Sequence, residues 1–217
     1  MRILEAAGRL STRYGFDKTT VDEIAREAGV SKGAIYLEWS GKEEIIDALI
    51  EFEMKKLLLD LRARIVEDEK SDTIAALYRH TLLAIQKSAI ISALYTRDGK
   101  LLGDFVKRQN PERYTKRLLM SKENIAVMQS AGLLRSDIPA EVITYLFSII
   151  ALGFLSISSV VPVENAPSID ATVEAIAAMV DNGLTKPGGD QSLIKESTLQ
   201  MLDLMLEQYD KRGNNEE

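Results

Sequence analysis

The chain has 217 residues, with no cysteine and a single histidine, His80. A chain of this length can bury a hydrophobic core without crosslinks. The absence of thiols excludes disulfide scaffolds, thiol catalysis and cysteine-based zinc sites. The net charge is −6, which gives the molecule as a whole no attraction to nucleic acid or anionic lipid. Any binding to a polyanion must therefore depend on a local group of residues.

Apolar residues recur with a helical period along most of the chain, which predicts an all-α fold. The first helix is predicted over residues 3–14, with Gly15 as its stop. A capping box is predicted at the start of the second helix, because Thr20 can cover a free amide while Glu23 reaches back. Gly29 is predicted to end that helix, since glycine adopts a left-handed conformation without steric cost.

Two further cap signals define the helices that follow. Ser31 is an N-cap two residues later and predicts a short helix over 32–37, and Ser40 with Glu43 repeats the capping-box pattern before a long helix over 41–66. Weaker periodicity predicts helices over 71–93, 100–107, 111–130, 139–160, 168–184 and 192–209. Residues 211–217 lack apolar anchors and are predicted to form a flexible tail.

One predicted helix is strongly apolar, because the twenty-two residues between Glu141 and Glu164 carry no charge. This run is long enough to span a bilayer. Two features favour a buried helix instead: no Lys or Arg lies between Arg135 and Lys186 to orient a span, and the run contains five Ser or Thr residues. We therefore expect a helix that is buried on nearly all sides, and no membrane contact.

Residues 21–39 have the spacing of a helix-turn-helix. Ala25 falls where two helices would cross, and Gly29 falls where the chain must reverse. Val30 and Ile35 are predicted to point inward. The alternative is a helical corner that contacts only its own core, since alanine and glycine at these offsets also occur in ordinary helix pairs.

The inward positions leave Lys32, Gly33 and Tyr36 on the outer face of the second helix of this motif. Ser31, Lys32 and the free amides at the helix N-terminus suit phosphate oxygens. Lys32 and Tyr36 can reach base edges or the DNA backbone, and Gly33 permits close approach. This face is the candidate DNA-reading surface.

The sequence TTVDEIAREAGVSKGAIYLEWSGKEEIIDALI, residues 19–50, resembles the N-terminal domain of the TetR family of transcriptional regulators. The matching pieces are Thr19-Thr20, Ile24-Ala25, Ala28-Gly29-Val30, Ser31-Lys32-Gly33, Ile35-Tyr36, and Trp39 before Lys42 and Glu43. The resemblance implies a three-helix helix-turn-helix DNA-binding domain followed by a larger helical domain that binds a ligand and dimerises. We place these domains at residues 1–46 and 47–210.

Carried over position by position, the family pattern implies six DNA contacts. Thr20, Ser31, Tyr36 and Lys42 would contact phosphate or backbone, and Lys32 and Gly33 would lie nearest the bases. Three departures stand out. Trp39 replaces the usual phenylalanine, and Glu38 stands where a basic or neutral polar residue is common and would repel a phosphate. The basic arm that commonly precedes the first helix has no counterpart, since the predicted helix begins almost at Met1.

Residues 1–45 contain seven basic and eight acidic residues, a balance of −1. Because counterion release supplies much of protein–DNA affinity, such a domain is predicted to bind specifically but weakly, with a shallow dependence on salt. The same charge balance, together with Glu38, leaves a second function open. In that alternative the chain is a helical small-molecule or protein-binding module whose degenerate head does not read DNA.

The middle of the chain holds the effector site in the resembled family and is rich in aromatic residues here. The candidate effector-binding residues are Tyr78, His80, Tyr95, Phe105, Tyr114 and Phe154. Such side chains would bind a mostly apolar effector. For each of them the alternative is an ordinary place in the core, and for His80 a hydrogen-bonded or surface position.

The apolar helix over 139–160 needs cover from the core, a pocket or a second subunit. With Ala171, Ile176, Met179 and Val180 it predicts a four-helix homodimer interface. The last predicted helix, which the family often lacks, carries an apolar stripe that we expect to pack on its own domain; binding to a separate partner is the alternative.

The sequence is therefore interpreted as a cytoplasmic, ligand-responsive repressor. A homodimer would set two reading helices about 34 Å apart on a near-palindromic operator and would be released by the effector. No secretory signal is expected, because Arg2, Glu5 and Arg9 interrupt the N-terminal apolar run. No nucleophile with an adjacent base, phosphate loop or metal-ligand spacing is found, so we expect no catalytic residue, metal or cofactor.

Overall fold

The computed structural model describes residues 2–108, 121–162, 164, 166–186 and 194–213. The helices within these ranges are α1 (Arg2–Tyr14), α2 (Val21–Ala28), α3 (Lys32–Glu38), α4 (Lys42–Glu67), α5 (Ile74–Lys87), α6 (Ala89–Thr96), α7 (Gly99–Leu102), α8 (Phe105–Arg108), α9 (Lys122–Ser130), α10 (Ala140–Ser156), a 3₁₀ turn (Ile157–Ser159), α11 (Ile169–Leu184) and α12 (Ile194–Gly213). Outside the helices, the described residues contain one isolated β-bridge, between Leu134 and Thr185. The all-α prediction is confirmed.

The chain folds into two compact units. Unit 1 comprises Met1–Leu57 and Gln86–Gln109, and unit 2 comprises Leu58–Ile85 and Asn110–Glu217. Helices α4 and α5 contribute residues to both units. This grouping places α6, α7 and α8 with the N-terminal residues, and it does not test the predicted domain boundary after residue 46, which stays a prediction.

Two predicted helices are each broken in two. The prediction of one helix over 71–93 is wrong, because the helix is interrupted at Ser88, the N-cap of α6. The Ser88 hydroxyl accepts a hydrogen bond from the Ile91 amide at 3.3 Å and donates to the Glu53 carboxylate at 2.7 Å. The helix predicted over 100–107 is wrong at Gly103, where a positive φ of 60° ends α7. Neither break involves a proline, the strongest sequence signal for a helix end.

Two other helix ends differ from the sequence predictions, and part of a third predicted helix lies outside the described residues. At the start of α4 the Ser40 amide donates to the Glu44 carboxylate at 2.7 Å, one residue beyond the predicted partner Glu43. Residues 111–120, the first part of the helix predicted over 111–130, are among those not described. Helix α12 continues to Gly213, into the predicted tail of 211–217, and residues 214–217 lie outside the described part.

Unit 1 has a core of small and branched side chains contributed by α1, α2, α3 and the start of α4. Its fully buried members include Ala6, Ala7, Ile24, Ile35, Ile45, Ile46 and Leu49. The loop after α1 is fastened to α7 by a backbone hydrogen bond from the Phe16 amide to the Leu101 carbonyl, at 2.8 Å. The close packing of α1 on α2 fixes the orientation of the helix-turn-helix within this unit.

Unit 2 is organised around Phe147 of α10. The Phe147 side chain is buried, its ring centroid lies 4.4 Å from that of Tyr78, and the Tyr78 hydroxyl donates to the Phe147 carbonyl at 2.6 Å. Helix α12 packs in the same unit through Ile194, Leu202 and Leu206, which are buried. The expectation that this last helix packs on its own domain is therefore confirmed.

Polar contacts also attach α12 to the C-terminal end of α4. The Lys195 ammonium donates to the carbonyls of Val66 and Asp68, at 3.3 and 2.8 Å. One turn earlier on α4, Arg62 donates to Asp203 at 2.6 Å. A cation at the carbonyl end of a helix is favourable because those carbonyls have no partner within the helix.

Helix α10 is not buried on nearly all sides by its own chain, so the core supplies only part of the predicted cover. One side is buried through Ile143, Phe147 and Ala151. The other side exposes an apolar stripe at helical spacing, consisting of Val142, Tyr145, Leu146, Ile149 and Leu152. By length and composition alone, Ala140–Ser159 is long and apolar enough to cross a membrane.

Only part of the predicted dimer surface on α11 is accessible. Ala171 is exposed and Met179 is 69% exposed. Val180 is 1% exposed and packs within unit 2 together with Val173 and Ala177, so its assignment to an interface is wrong. Its inward position follows from the helical spacing of these three residues on one side of α11.

Candidate nucleic-acid interface and ligand region

Helix α2 begins with the predicted capping box. The Thr20 hydroxyl oxygen accepts a hydrogen bond from the Glu23 amide at 3.2 Å, and the Thr20 amide donates to the Glu23 carboxylate at 2.8 Å. The Thr20 hydroxyl also donates to that carboxylate at 2.8 Å. These bonds hold the pKa of Glu23 below its ordinary value. Thr20 therefore fixes the start of α2 with the same groups that were predicted to contact DNA.

The turn between α2 and α3 has the geometry expected of a helix-turn-helix. Gly29 has a left-handed φ of 66°, and the Val30 amide donates to the Ala25 carbonyl at 3.0 Å. Ala25 and Ile35 are buried in the core of unit 1. The chain therefore reverses at Gly29 because glycine tolerates this conformation.

Helix α3 presents an exposed face opposite Ile35. Ser31 caps the helix by accepting a hydrogen bond from the Ala34 amide at 3.1 Å. Lys32 and Gly33 are exposed in the first turn, and Tyr36 follows one turn later with 48% of its surface exposed. The Lys32 ammonium lies 6.0 Å from the centre of the Tyr36 ring. Four of the six predicted DNA contacts thus lie together on this one helix and its cap.

Lys32 is paired within the protein. Its ammonium nitrogen lies 3.0 Å from a carboxylate oxygen of Asp22 on α2, and both side chains are exposed. The hydrogen bond to Asp22 and the charge of that carboxylate raise the pKa of Lys32 above its ordinary value. The side chain therefore stays protonated at neutral pH, but its charge is offset by a neighbour.

Lys42 occupies a different environment from the other predicted DNA contacts. It lies at the start of α4, where its ammonium donates to the Asp17 carbonyl at 2.9 Å and lies 4.7 Å from the centre of the Phe16 ring. Partial burial lowers the pKa of Lys42, and the carboxylates of Asp17 and Glu23 oppose that change. The side chain fastens α4 to the loop after α1 and would have to be released to contact a phosphate.

Two residues of this region were missed by the sequence analysis. Asp22 was counted only as an acidic residue, because nothing in the sequence places it beside Lys32, ten positions away. Leu37 was assigned only to the end of a short helix, yet it is 88% exposed beside Tyr36. An exposed apolar side chain on a reading helix suits the methyl group of thymine.

The described candidate effector residues are divided between the two units. Tyr78, His80 and Phe154 belong to unit 2, whereas Tyr95 and Phe105 belong to unit 1, and Tyr114 lies outside the described residues. Tyr78 is buried against Phe147, and Phe105 is also buried, as core positions would be. Phe154 is half-buried on α10. The described residues therefore leave the effector assignment untested.

His80 is buried and hydrogen-bonded. Its Nε2 lies 2.9 Å from the Asp68 carboxylate, which also pairs with Arg79. Burial lowers the pKa of His80, and the charge of Arg79 adds to this effect against the opposing bond to Asp68. The Nδ1 atom is buried without a hydrogen-bond partner among the described residues. Nε2 therefore has a structural partner that a bound effector would have to replace.

Comparison with known proteins gives a sequence match to the N-terminal part of the chain. Residues 3–49 match the profile of the bacterial regulatory proteins of the tetR family. The transcriptional regulator SrpR of Pseudomonas putida is 39% identical over 59 residues, which are 27% of this chain and 28% of SrpR. TtgR of the same species is 32% identical over 101 residues, 46% of this chain and 47% of TtgR. The chain thus spans less than half the length of these curated relatives.

Solved structures extend the likeness in fold to most of the chain. SmeT, the repressor of the Stenotrophomonas maltophilia multidrug efflux pump SmeDEF, matches with a TM-score of 0.61 and 18% identity over 86% of this chain and 90% of SmeT. SmeT in complex with triclosan matches with a TM-score of 0.56 and 19% identity over 86% of this chain and 91% of that one. Residues 3–49 thus match the tetR family by sequence, and the fold over most of the chain is similar to that of SmeT.

Proposed function

We propose that this protein is a cytoplasmic, ligand-responsive transcriptional repressor that binds a near-palindromic operator as a homodimer. The observation that carries the proposal is the exposed face of α3, where Lys32, Gly33 and Tyr36 lie opposite a buried Ile35. A short helix held this way by a neighbouring helix is the form that reads a major groove. Ser31 and the helix N-terminus would contact phosphate.

The homodimer part of the proposal is supported by α10. Its apolar stripe is exposed, and monomeric soluble proteins rarely leave a contiguous apolar patch of this kind uncovered. Small exposed residues on α11, such as Ala171 and Ala175, would allow helices of two subunits to approach closely. Pairing α10 and α11 with their symmetry mates gives a four-helix interface.

The effector part of the proposal rests on the comparisons and on composition. SmeT, whose fold this chain shares, has been solved with triclosan, a small molecule. We infer that a small, mostly apolar compound binds unit 2 and lowers operator affinity. This coupling requires that the effector bind more tightly to the DNA-free arrangement than to the DNA-bound one.

The first experiment is DNA binding by a double variant, Lys32→Ala with Tyr36→Ala. Intergenic DNA beside the gene is searched for an inverted repeat and footprinted at low salt with the wild-type protein. We expect a protected stretch that the double variant loses, while its circular dichroism and its oligomeric state stay unchanged. Adding triclosan to the wild-type complex tests whether an apolar compound releases it.

The control is Lys122→Ala, which removes one exposed cation from unit 2 and is expected to leave the footprint intact. Protection that survives in the double variant would mean that α3 is not the reading helix. An absence of protection by soluble, dimeric wild-type protein at low salt would remove the repressor function altogether.

The dimer is tested by placing charges on the exposed stripe of α10, with Ile149→Glu and Leu152→Glu combined. Burying two carboxylates without partners is costly, so we expect a monomer at micromolar concentration where the wild type is a dimer by light scattering. The control is Val127→Glu on α9, where the apolar side chain is 67% exposed, against 49% for Ile149 and 41% for Leu152. A wild-type monomer would contradict the proposal, and a wild type that requires detergent would favour a membrane-spanning α10.

The second candidate function is a helical binding protein that does not read DNA. It is favoured by Glu38, which is exposed on α3, and by the pairing of Lys32 with Asp22. Under this alternative the protein would still dimerise and bind small molecules, but no duplex would be protected. The footprinting experiment separates the two functions.

A further inference from the structure

The reading helix α3 carries little positive charge. Lys32 is the one basic residue in its sequence KGAIYLE, and Glu38 adds a carboxylate at its other end. Because sequence-independent binding to DNA comes almost entirely from cations that displace counterions from phosphates, Lys32 dominates the electrostatic contribution of this helix. Whether the Lys32 charge is free or neutralised therefore decides how strongly α3 is attracted to any duplex.

The Asp22 carboxylate already accepts a hydrogen bond from the Lys32 ammonium, with the nitrogen and oxygen 3.0 Å apart. Asp22 lies in the first turn of α2, where the free amides of a helix N-terminus favour a negative charge. The two side chains are 68% and 49% exposed, so a phosphate has access to the same ammonium. A phosphate would therefore compete with this carboxylate for the Lys32 ammonium.

The Lys32–Asp22 ion pair contributes little to the stability of the fold. Exposed ion pairs contribute weakly to folding because water screens the charges and the side chains lose freedom. The start of α2 is fixed by Thr20 and Glu23, and the start of α3 by Ser31, without Asp22 or Lys32. The position of Asp22 therefore matters for what Lys32 can bind rather than for how the helices pack.

We propose that Asp22 suppresses sequence-independent DNA binding by neutralising the cation of the reading helix, so that Lys32 is released only when a base acceptor in register replaces the carboxylate. This inference rests on the proposed DNA-binding function. On a random duplex, Lys32 would exchange the Asp22 carboxylate for a phosphate, which releases few counterions and adds little binding affinity. On the operator, the contacts of Ser31 and Tyr36 hold α3 in the groove while Lys32 changes partners.

The test is Asp22→Asn, measured by fluorescence anisotropy on a 30-base-pair duplex of random sequence from 50 to 200 mM salt. Freeing one cation should steepen the slope of log affinity against log salt by about 0.9 and raise affinity at 50 mM salt by about tenfold. On a duplex selected for specific binding the gain should be smaller. The ratio of specific to non-specific affinity therefore falls in the variant.

The matched control is Glu27→Gln, which removes an equal charge from the same helix. Glu27 pairs with Arg9 of α1 at 2.9 Å rather than with Lys32. An equal gain in the two variants would mean that only net charge matters, and it would overturn the inference. Adding Lys32→Ala to Asp22→Asn should abolish the gain, and a gain that persists would also overturn it.

A second variant at Asp22 and the binding of the wild type distinguish a failure of this inference from a failure of the proposed function. Asp22→Ser replaces Asp22→Asn if circular dichroism shows that the asparagine variant is unfolded, and it should give the same steeper slope. If neither wild type nor any variant binds a duplex at 50 mM salt, the proposed DNA-binding function fails and this inference fails with it. If the wild type binds and Asp22→Asn does not differ from it, only the role of Asp22 is wrong.

Discussion

Replacing Phe147 by alanine is expected to lower the free energy of unfolding by about 3–5 kcal/mol, the range for removing a fully buried aromatic side chain. Phe147 is 1% exposed and packs against the Tyr78 ring. The change removes this contact and leaves a cavity at the centre of unit 2. Urea denaturation followed by circular dichroism measures the loss as a lower midpoint.

The matched control for Phe147→Ala is Val127→Ala on α9, where the side chain is 67% exposed and the loss should stay within about 0.5 kcal/mol. Tyr78→Phe isolates the hydrogen bond to the Phe147 carbonyl and should cost about 1 kcal/mol. If Phe147→Ala unfolds no more easily than Val127→Ala, the packing of α10 described above is incorrect.

Replacing Gly15 by alanine is expected to destabilise unit 1 by about 2–4 kcal/mol, through backbone strain and a steric clash together. Gly15 has a φ of 86°, which side chains other than glycine rarely adopt, and an added Cβ would lie 2.6 Å from the Lys100 carbonyl oxygen. Because that oxygen belongs to the backbone, the loop or α7 must move. Thermal unfolding of the purified variant measures the effect.

Alanine variants at two other glycines distinguish the effect of backbone strain from the effect of a steric clash. Gly29 has a φ of 66° but open space around its Cβ position, so Gly29→Ala should show strain alone, about 1–2 kcal/mol. At Gly41 the Cβ position is open and φ lies outside the strained range, so Gly41→Ala should be near neutral. Equal losses at Gly15 and Gly29 would mean that the contact with Lys100 contributes nothing.

Local signals predicted the N-terminal helices well, because their ends are set by residues close in sequence. The caps at Thr20 and Ser31 and the left-handed Gly29 all lie where the sequence placed them. Each of these features depends on hydrogen bonds or backbone angles within four residues. The same kind of information was enough to identify the exposed face of α3.

Features that depend on contacts between distant parts of the chain could not be predicted from the sequence. The Ser88 break involves a bond to Glu53, thirty-five residues earlier, and Asp22 reaches Lys32 only because α2 and α3 fold together. The exposure of one side of α10 could not be deduced either, since a uniformly apolar helix gives no pattern that separates a buried side from an open one.

The attachment of α12 to α4 has a consequence for the order in which the protein can form during translation. Arg62 and its partner Asp203 are separated by 141 positions. At about 5–20 residues per second, a ribosome needs several seconds to add that intervening chain, whereas both segments of unit 1 are already made. The end of α4 is therefore synthesised well before the α12 residue that binds it.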